Sequence, residues 1–233
     1  MKRSPSSKCN SMRCLLMVTA FVLPASCGIP QIVVLEAPEV TRALRNPATV
    51  DFEHPVENDR DDFLGYELYY KFYEPSNPDS AFSGDRSAIE NASPSAVIST
   101  LTTLGYRRVH ALANGNQQPV VEVSAAERAS QFTLTIDYPP NVTSTDTAAA
   151  IWSSSEEALA RDLSLFGETE SASFAPGDIE LSDPDMPSDT TGAIGTIPMG
   201  LAVVAYGIDF TNNSFSAIYS RAAVADVLLE VYF

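Results

Sequence analysis

The chain has 233 residues and carries 30 acidic against 14 basic side chains, a net charge of −16. A surface of that sign repels nucleic acid and anionic lipid headgroups, so neither is expected as a partner. At this length a single domain buries about 70% of the surface its unfolded chain exposes, enough for an ordinary core without disulfide staples.

Met1 to Arg13 carries Lys2, Arg3, Lys8 and Arg13 and no acid, Cys14 to Ala25 is largely apolar, and Leu23-Pro24-Ala25-Ser26-Cys27-Gly28 closes the segment. A basic start and an apolar stretch shorter than the roughly 20 residues of a spanning helix predict a secretory signal. The closing residues resemble those of bacterial lipoproteins, spirochaete lipoproteins in particular. That resemblance implies a signal peptide over residues 1–26, diacylglyceryl and fatty acyl groups of the palmitate class at Cys27, and a bacterial membrane as the protein's first partner. Gly28 after the cysteine resembles outer-membrane rather than inner-membrane sorting. An ordinary signal cut nearby, with Cys27 left as a free thiol, is the alternative.

Two or three acyl chains hold a protein on a bilayer almost permanently. Residues 27–31 would be the lipidated cysteine and its tether, and four residues at about 3.3 Å each reach under ~20 Å, so a domain over residues 32–233 would sit close to the lipid. Loss of the signal removes four bases and leaves ten basic and thirty acidic side chains, a net charge of −20, with Lys71 the only lysine. It also leaves Cys27 as the only cysteine, so no intramolecular disulfide is expected.

Beyond the tether, Val50 and Phe52 alternate with Thr49, Asp51 and Glu53 before Pro55, a short strand pattern. Leu64, Tyr66, Leu68, Tyr70 and Phe72 then alternate with Gly65, Glu67, Tyr69, Lys71 and Tyr73. Period two with one wholly apolar face predicts a half-buried antiparallel strand, which leaves Tyr69 and Tyr73 exposed beside Lys71. Those two tyrosines are the candidate ligand contacts, for glycan or peptide, set against the commoner reading as a cross-strand pair.

Ser93-Pro94 followed by Val97, Ile98, Leu101 and Leu104, with Gly105 as stop, predicts a helix over 94–104. Gln118 to Ser124 is a short β-rich stretch, and Phe132, Leu134, Ile136 and Tyr138 mark a strand ending at Pro139-Pro140. Ser153 with Glu156 forms a capping-box pattern before Ala158, Leu159, Leu163 and Phe166, which predicts a second helix over 154–166. Segments 74–87, 139–150 and 168–198 are rich in Pro, Ser, Thr, Asp, Asn and Gly and read as long loops. Gly200–Phe210 and Phe215–Val224 flank Thr211-Asn212-Asn213-Ser214 and predict a hairpin, after which Val227, Leu229, Val231 and Phe233 alternate into a last strand.

This order predicts a mainly β chain, an antiparallel β-sandwich with inserted short helices and long loops, the insertions lying at about residues 74–105 and 139–198. Two passages resemble fibronectin type III domains. Phe63 to Tyr70 resembles that family's third strand, and Val203 to Asp209 with Ser214-Phe215-Ser216 resembles its sixth strand and turn. The resemblance implies a sandwich with a spacer or binding role. Its departures are some 100 extra residues, against the family's usual length of about 100, and a single tryptophan, Trp152, beside the predicted second helix rather than in the second strand.

For catalysis the chain offers no G-x-S-x-G, no H-E-x-x-H and no Gly-rich phosphate loop, and its histidines are His54 and His110. No enzymatic activity and no cofactor are expected. Acidic clusters at Glu57–Asp62 and across Asp178, Glu180, Asp183, Asp185 and Asp189 lack the EF-hand spacing, and read as solvated loop charge ahead of structural calcium. The expected role is adhesion, envelope structure or protein interaction on a bacterial membrane. A small-molecule or glycan-binding lipoprotein with a pocket between sheet and inserted helices is the alternative.

Overall fold

The computed structural model describes residues 33–45, 48–111, 118–137, 141–144, 159–163, 171–174, 178–188, 195–210 and 215–230. The chain divides into two units, Met1–Val33 and Val34–Phe233, and all secondary structure among the described residues lies in the second. That unit is mainly β, with antiparallel sheets.

The strands are β1 (Glu39–Arg45), β2 (Ala48–Glu53), β3 (Phe63–Phe72), β4 (Arg107–Arg108), β5 (His110–Ala111), β6 (Val121–Glu122), β7 (Thr133–Asp137), β8 (Asn141–Ser144), β9 (Leu159–Asp162), β10 (Ser171–Ser173), β11 (Thr196–Asp209) and β12 (Ser216–Glu230). Helices α1 (Pro78–Glu90) and α2 (Val97–Thr103) fall between β3 and β4. One sheet has the order β1-β2-β7-β8, a second β12-β11-β3-β4 with β6 also on β3, and a third β10-β9-β5.

The expected inner face of β3 is real: Tyr66, Leu68, Tyr70 and Phe72 join Val50, Phe52, Leu134 and Ile136 of the first sheet in one buried cluster. A register shift at the start of β3 lets Phe63 take the inner place expected of Leu64, which is only half-buried. Gly65 sits at that irregularity with φ 153°, and a Cβ there would lie 2.0 Å from the Val121 carbonyl oxygen, so the close approach of β6 requires glycine.

The outer face of the same sheet is dry, against the expectation of a wet one. Tyr69 and Tyr73 are 5% and 3% exposed, packed with Phe82 and Ile89 of α1, Val97 and Leu101 of α2, Tyr106, and Ala202, Val204, Ala222 and Val224 from β11 and β12. The second sheet is therefore a middle layer, with the first sheet on one side and two helices on the other. Gly200 makes this possible: a Cβ there would lie 2.6 Å from the Tyr106 hydroxyl and 2.9 Å from the Tyr73 ring.

The hairpin is longer than its sequence pattern implies. β12 runs from the first of the expected C-terminal strands into the second as one element, as far as Glu230, while Val231 and Phe233 lie outside the described residues. It does so across a bulge in which Ser220 and Arg221 together face Ala205, and the Ser220 hydroxyl accepts the Ala205 N–H at 2.9 Å. The bulge restores the alternation, so that Ala225, Val227 and Leu229 point into the sandwich core.

Five readings of the sequence are corrected. Segment 74–87, read as loop, is largely α1, which starts at Pro78 in the first turn, where proline is favoured, and buries Phe82 and Ile89 two turns apart. Its polar composition hides it, and packing against Tyr73, whose ring centroid lies 5.9 Å from that of Phe82, holds it. The helix expected over 94–104 is the shorter α2, preceded by a turn at 94–96, with Gly105 at φ 86° as its stop. The helix expected over 154–166 is contradicted where it is described: Leu159–Asp162 is a strand between β10 and β5. A run in which Leu159, Ala160, Arg161 and Leu163 are all buried has no exposed side for a helical period to mark. Trp152, Ser153, Glu156 and Phe166 lie outside the described residues. Segments 139–150 and 168–198, read as loops, hold β8, β10 and the start of β11.

Candidate functional site

β3 runs from the end of the unit where residues 34–38 lie to the end where α1 begins. At this far end a cleft of about 530 Å³ opens between the last residues of β3, the first turns of α1, the start of β4 and the 184–188 segment. Phe72, Met186, Pro184 and Pro187 supply apolar wall, while Lys71, Glu74, Arg107 and Asp185 supply charge. The cleft lies between sheet and inserted helix, the place expected of a pocket.

The charges around it are largely turned on the protein itself. The Lys71 ammonium donates to Asp85 at 2.6 Å and lies 4.9 Å from the centre of the Tyr73 ring. The Tyr73 hydroxyl donates to the same carboxylate at 2.9 Å and meets the Tyr106 hydroxyl at 2.8 Å. Burial, and then the neighbouring Tyr106, hold the Tyr73 hydroxyl well above the ordinary tyrosine range, so it stays a donor. Arg107 donates to the Asp162 and Pro184 carbonyls at 3.0 and 2.9 Å, which ties the rim segment to the sheet.

Under the rim lies Arg161, fully buried on β9. Its guanidinium reaches Asp183 at 2.8 Å and Asp185 at 3.0 Å, donates to the Ser173 carbonyl at 3.0 Å, and bonds the Asp178 carbonyl. The Tyr70 hydroxyl donates to Asp185 at 2.7 Å and accepts the Asp162 N–H at 3.1 Å. Burial pushes the Asp185 carboxyl up, and Arg161 and Tyr70 pull it back. A planar guanidinium with five donors in a fixed fork suits this ring of acceptors, where a lysine would not. The late acidic cluster is thus not simply solvated loop charge: Asp183 and Asp185 close on a buried arginine. Among the described residues no three His, Cys, Asp or Glu side chains are grouped to hold a metal ion.

No family model, curated protein or solved structure matches the chain.

The early acidic cluster stays largely solvated, with the side chains of Asp59 and Asp61 53% and 97% exposed although arginines pair with them. Arg128 pairs with Asp61 and lies 3.7 Å from Asp59, and Arg60 forks onto Asp62 with two 3.0 Å bonds. Glu67, expected on the wet face of β3, is fully buried and paired with Arg108, and burial raises its carboxyl against the pull of that arginine. Tyr69, one of the two candidate ligand contacts, is covered by the helical layer, whereas Tyr73 reaches the cleft wall. Cys27 lies outside the described residues. Among the described residues no helix is long and apolar enough to cross a membrane.

His54 is held through both of its ring nitrogens. His54 is stacked on Phe132 with ring centroids 4.5 Å apart, its Nε2–H donating to the Arg128 carbonyl at 3.0 Å and its Nδ1 accepting from the Tyr66 hydroxyl. Burial lowers its pKa below the ordinary 6.5, outweighing the Arg128 carbonyl, Asp59 and Glu57. His110 is also buried and lowered by burial. A lowered folded pKa means that the unfolded chain takes up the proton first. Stability from His54 is therefore complete above 6.5 and is lost as pH falls from there through the lowered value of the folded state. Urea unfolding of wild type and His54→Phe across this range should give the steeper acid loss in wild type, and parallel profiles would refute the assignment.

Sequence reasoning missed Arg161. The sign that could have found it is an arginine inside the short apolar run Leu159-Ala160-Arg161, twenty-odd residues before an Asp-Pro-Asp rich in acceptors.

Proposed function

We propose that the protein is a lipid-anchored, non-enzymatic interaction module of a bacterial envelope, held by acyl groups on Cys27, in the outer rather than the inner membrane, and built on a fibronectin type III-like sandwich. The sandwich reading is supported by strand order. First, second and seventh strands lie together, and twelfth, eleventh and third lie together, as the A-B-E and G-F-C strands do in immunoglobulin-like sandwiches. On that reading α1 and α2 are an insertion that roofs the G-F-C face.

The observation that carries the interaction role is the cleft at the far end of β3. It is open to solvent and walled by Phe72, Met186 and two prolines, while Lys71 and Arg107 are engaged with the protein's own acceptors. A trough of this kind suits a protein segment laid across it better than a small charged ligand, which needs unengaged polar groups converging on it. The small-molecule or glycan alternative draws on the position of the cleft between sheet and helix and on Tyr73 in its wall.

Cys27→Ala tests the anchor: the protein is expected to leave the membrane fraction for the soluble one, and unchanged fractionation with an unmodified Cys27 thiol in wild type would remove the reading. In the same membranes a photo-cross-linker at Met186 should give a discrete protein adduct, whereas glycan or small-molecule adducts alone would favour the alternative.

A further inference from the structure

Phe210 and Phe215 are 51% and 67% exposed, and their rings meet edge to face with centroids 6.0 Å apart. They sit just past Asp209 and Ser216, the last paired residues of the β11–β12 hairpin. Single exposed apolar residues are ordinary, but two facing aromatic rings flanking the turn of a hairpin form a small exposed apolar patch, the turn residues 211–214 themselves lying outside the described residues.

The tip lies at the end of the domain where residues 34–38 pack. The Leu35 Cδ1 lies 3.3 Å from where a Cβ on Gly207 would be, and the Ile208 N–H donates to the Asp62 carbonyl at 2.9 Å. Glu36 and Asn58 exchange two 2.9 Å hydrogen bonds, which pin the segment there. Val34, the residue before Leu35, is itself 49% exposed. Three residues of strand separate Gly207 from Phe210, about 10 Å.

We propose that Phe210 and Phe215 enter the lipid surface that holds the protein's own anchor, as a second, apolar point of contact. The proposal rests on acylation of Cys27. Eight residues from Cys27 to Leu35 span at most ~29 Å, so an anchored chain keeps the Leu35 end of the domain near the bilayer, and Phe210 and Phe215 lie at that end. The cleft, ten strand residues away along β3, is about 33 Å further out. Charge selects the lipid. With Glu57, Asp59, Asp61 and Asp62 in the adjoining loop against Arg60 and Arg128, the acids remain in excess at this end, which fits a zwitterionic surface and not an anionic one.

The full-length acylated protein carrying Phe215→Trp, reconstituted into phosphatidylcholine vesicles with or without brominated acyl chains, tests this. Relative to wild type, the added indole emission is expected to shift to shorter wavelength and to be lost on brominated lipid. Added emission that brominated lipid leaves intact, in protein that floats with the vesicles and carries acylated Cys27, would overturn the proposal alone. Intact emission that changes with protein density in the vesicle would mark a second copy of the chain on the tip and overturn it equally. A protein that neither floats nor carries acyl groups would overturn the anchoring reading, and this proposal with it.

Discussion

Arg161→Ala is expected to destabilise the protein by about 3–5 kcal/mol, the usual consequence of removing one partner from a buried ion pair. The side chain has no exposure, and Asp185 beside it has 1%. Without the guanidinium, two carboxylates lose their cation, keeping among the described residues only the Tyr70 hydroxyl and the Glu180 N–H, and two carbonyls lose a donor. The midpoint of urea unfolding should fall sharply at an unchanged slope, since the same surface is exposed on unfolding. Arg161→Lys should recover only a small part, because one ammonium cannot fork onto Asp183 and Asp185 while also reaching the Ser173 and Asp178 carbonyls. Replacing the arginine and both aspartates together by apolar residues should be far milder than Arg161→Ala, since no unpaired charge is then left inside. A small effect of the single substitution would mean that the cluster is open to solvent.

Leu101→Ala is expected to cost about 2–5 kcal/mol, as truncation of a fully buried leucine does where neighbours collapse only in part. Leu101 is 0% exposed and packs with Ile89, Val97 and the small residues Ala222 and Val224 of β12. Helix α2 has only seven residues, too short to persist without tertiary support. Amide exchange should therefore accelerate first in α1 and α2 and later, if at all, in β2 and β7. Uniform acceleration would show instead that the helical layer and the sandwich open as one unit.

The strands that can be read from the sequence are those with one dry and one polar side, because only these leave a period of two in the residue types. β7 and the inner side of β3 are of this kind, and the hairpin announces itself by two apolar runs around an Asn pair. What cannot be read is what tertiary contact supplies. Glu67 and Lys71 make the outer side of β3 look wet, yet Arg108 and Asp85 meet those charges, and α1 and α2 cover the tyrosines between them. Helix α1 is hidden by the small and polar residues Asp79, Ser80, Ser83 and Gly84 in its first two turns, and β9 by having no wet side at all. At the cleft, Lys71 and Tyr73 stand out correctly as neighbours, but their shared acceptor Asp85 and the opposite wall from Pro184 to Pro187 come from segments that read as loop.

A sheet roofed on one side and floored on the other keeps most of its two faces from a partner. Mutational drift along β3 and β11 is confined by tight packing above and below, so under the proposed interaction role a change of partner would be written at the two extremities of the strands, in connecting segments whose length and chemistry vary without disturbing the ladder. Related chains, if they differ in target, should agree in residues such as Gly65, Gly200 and Tyr70, and diverge between Pro184 and Ser188.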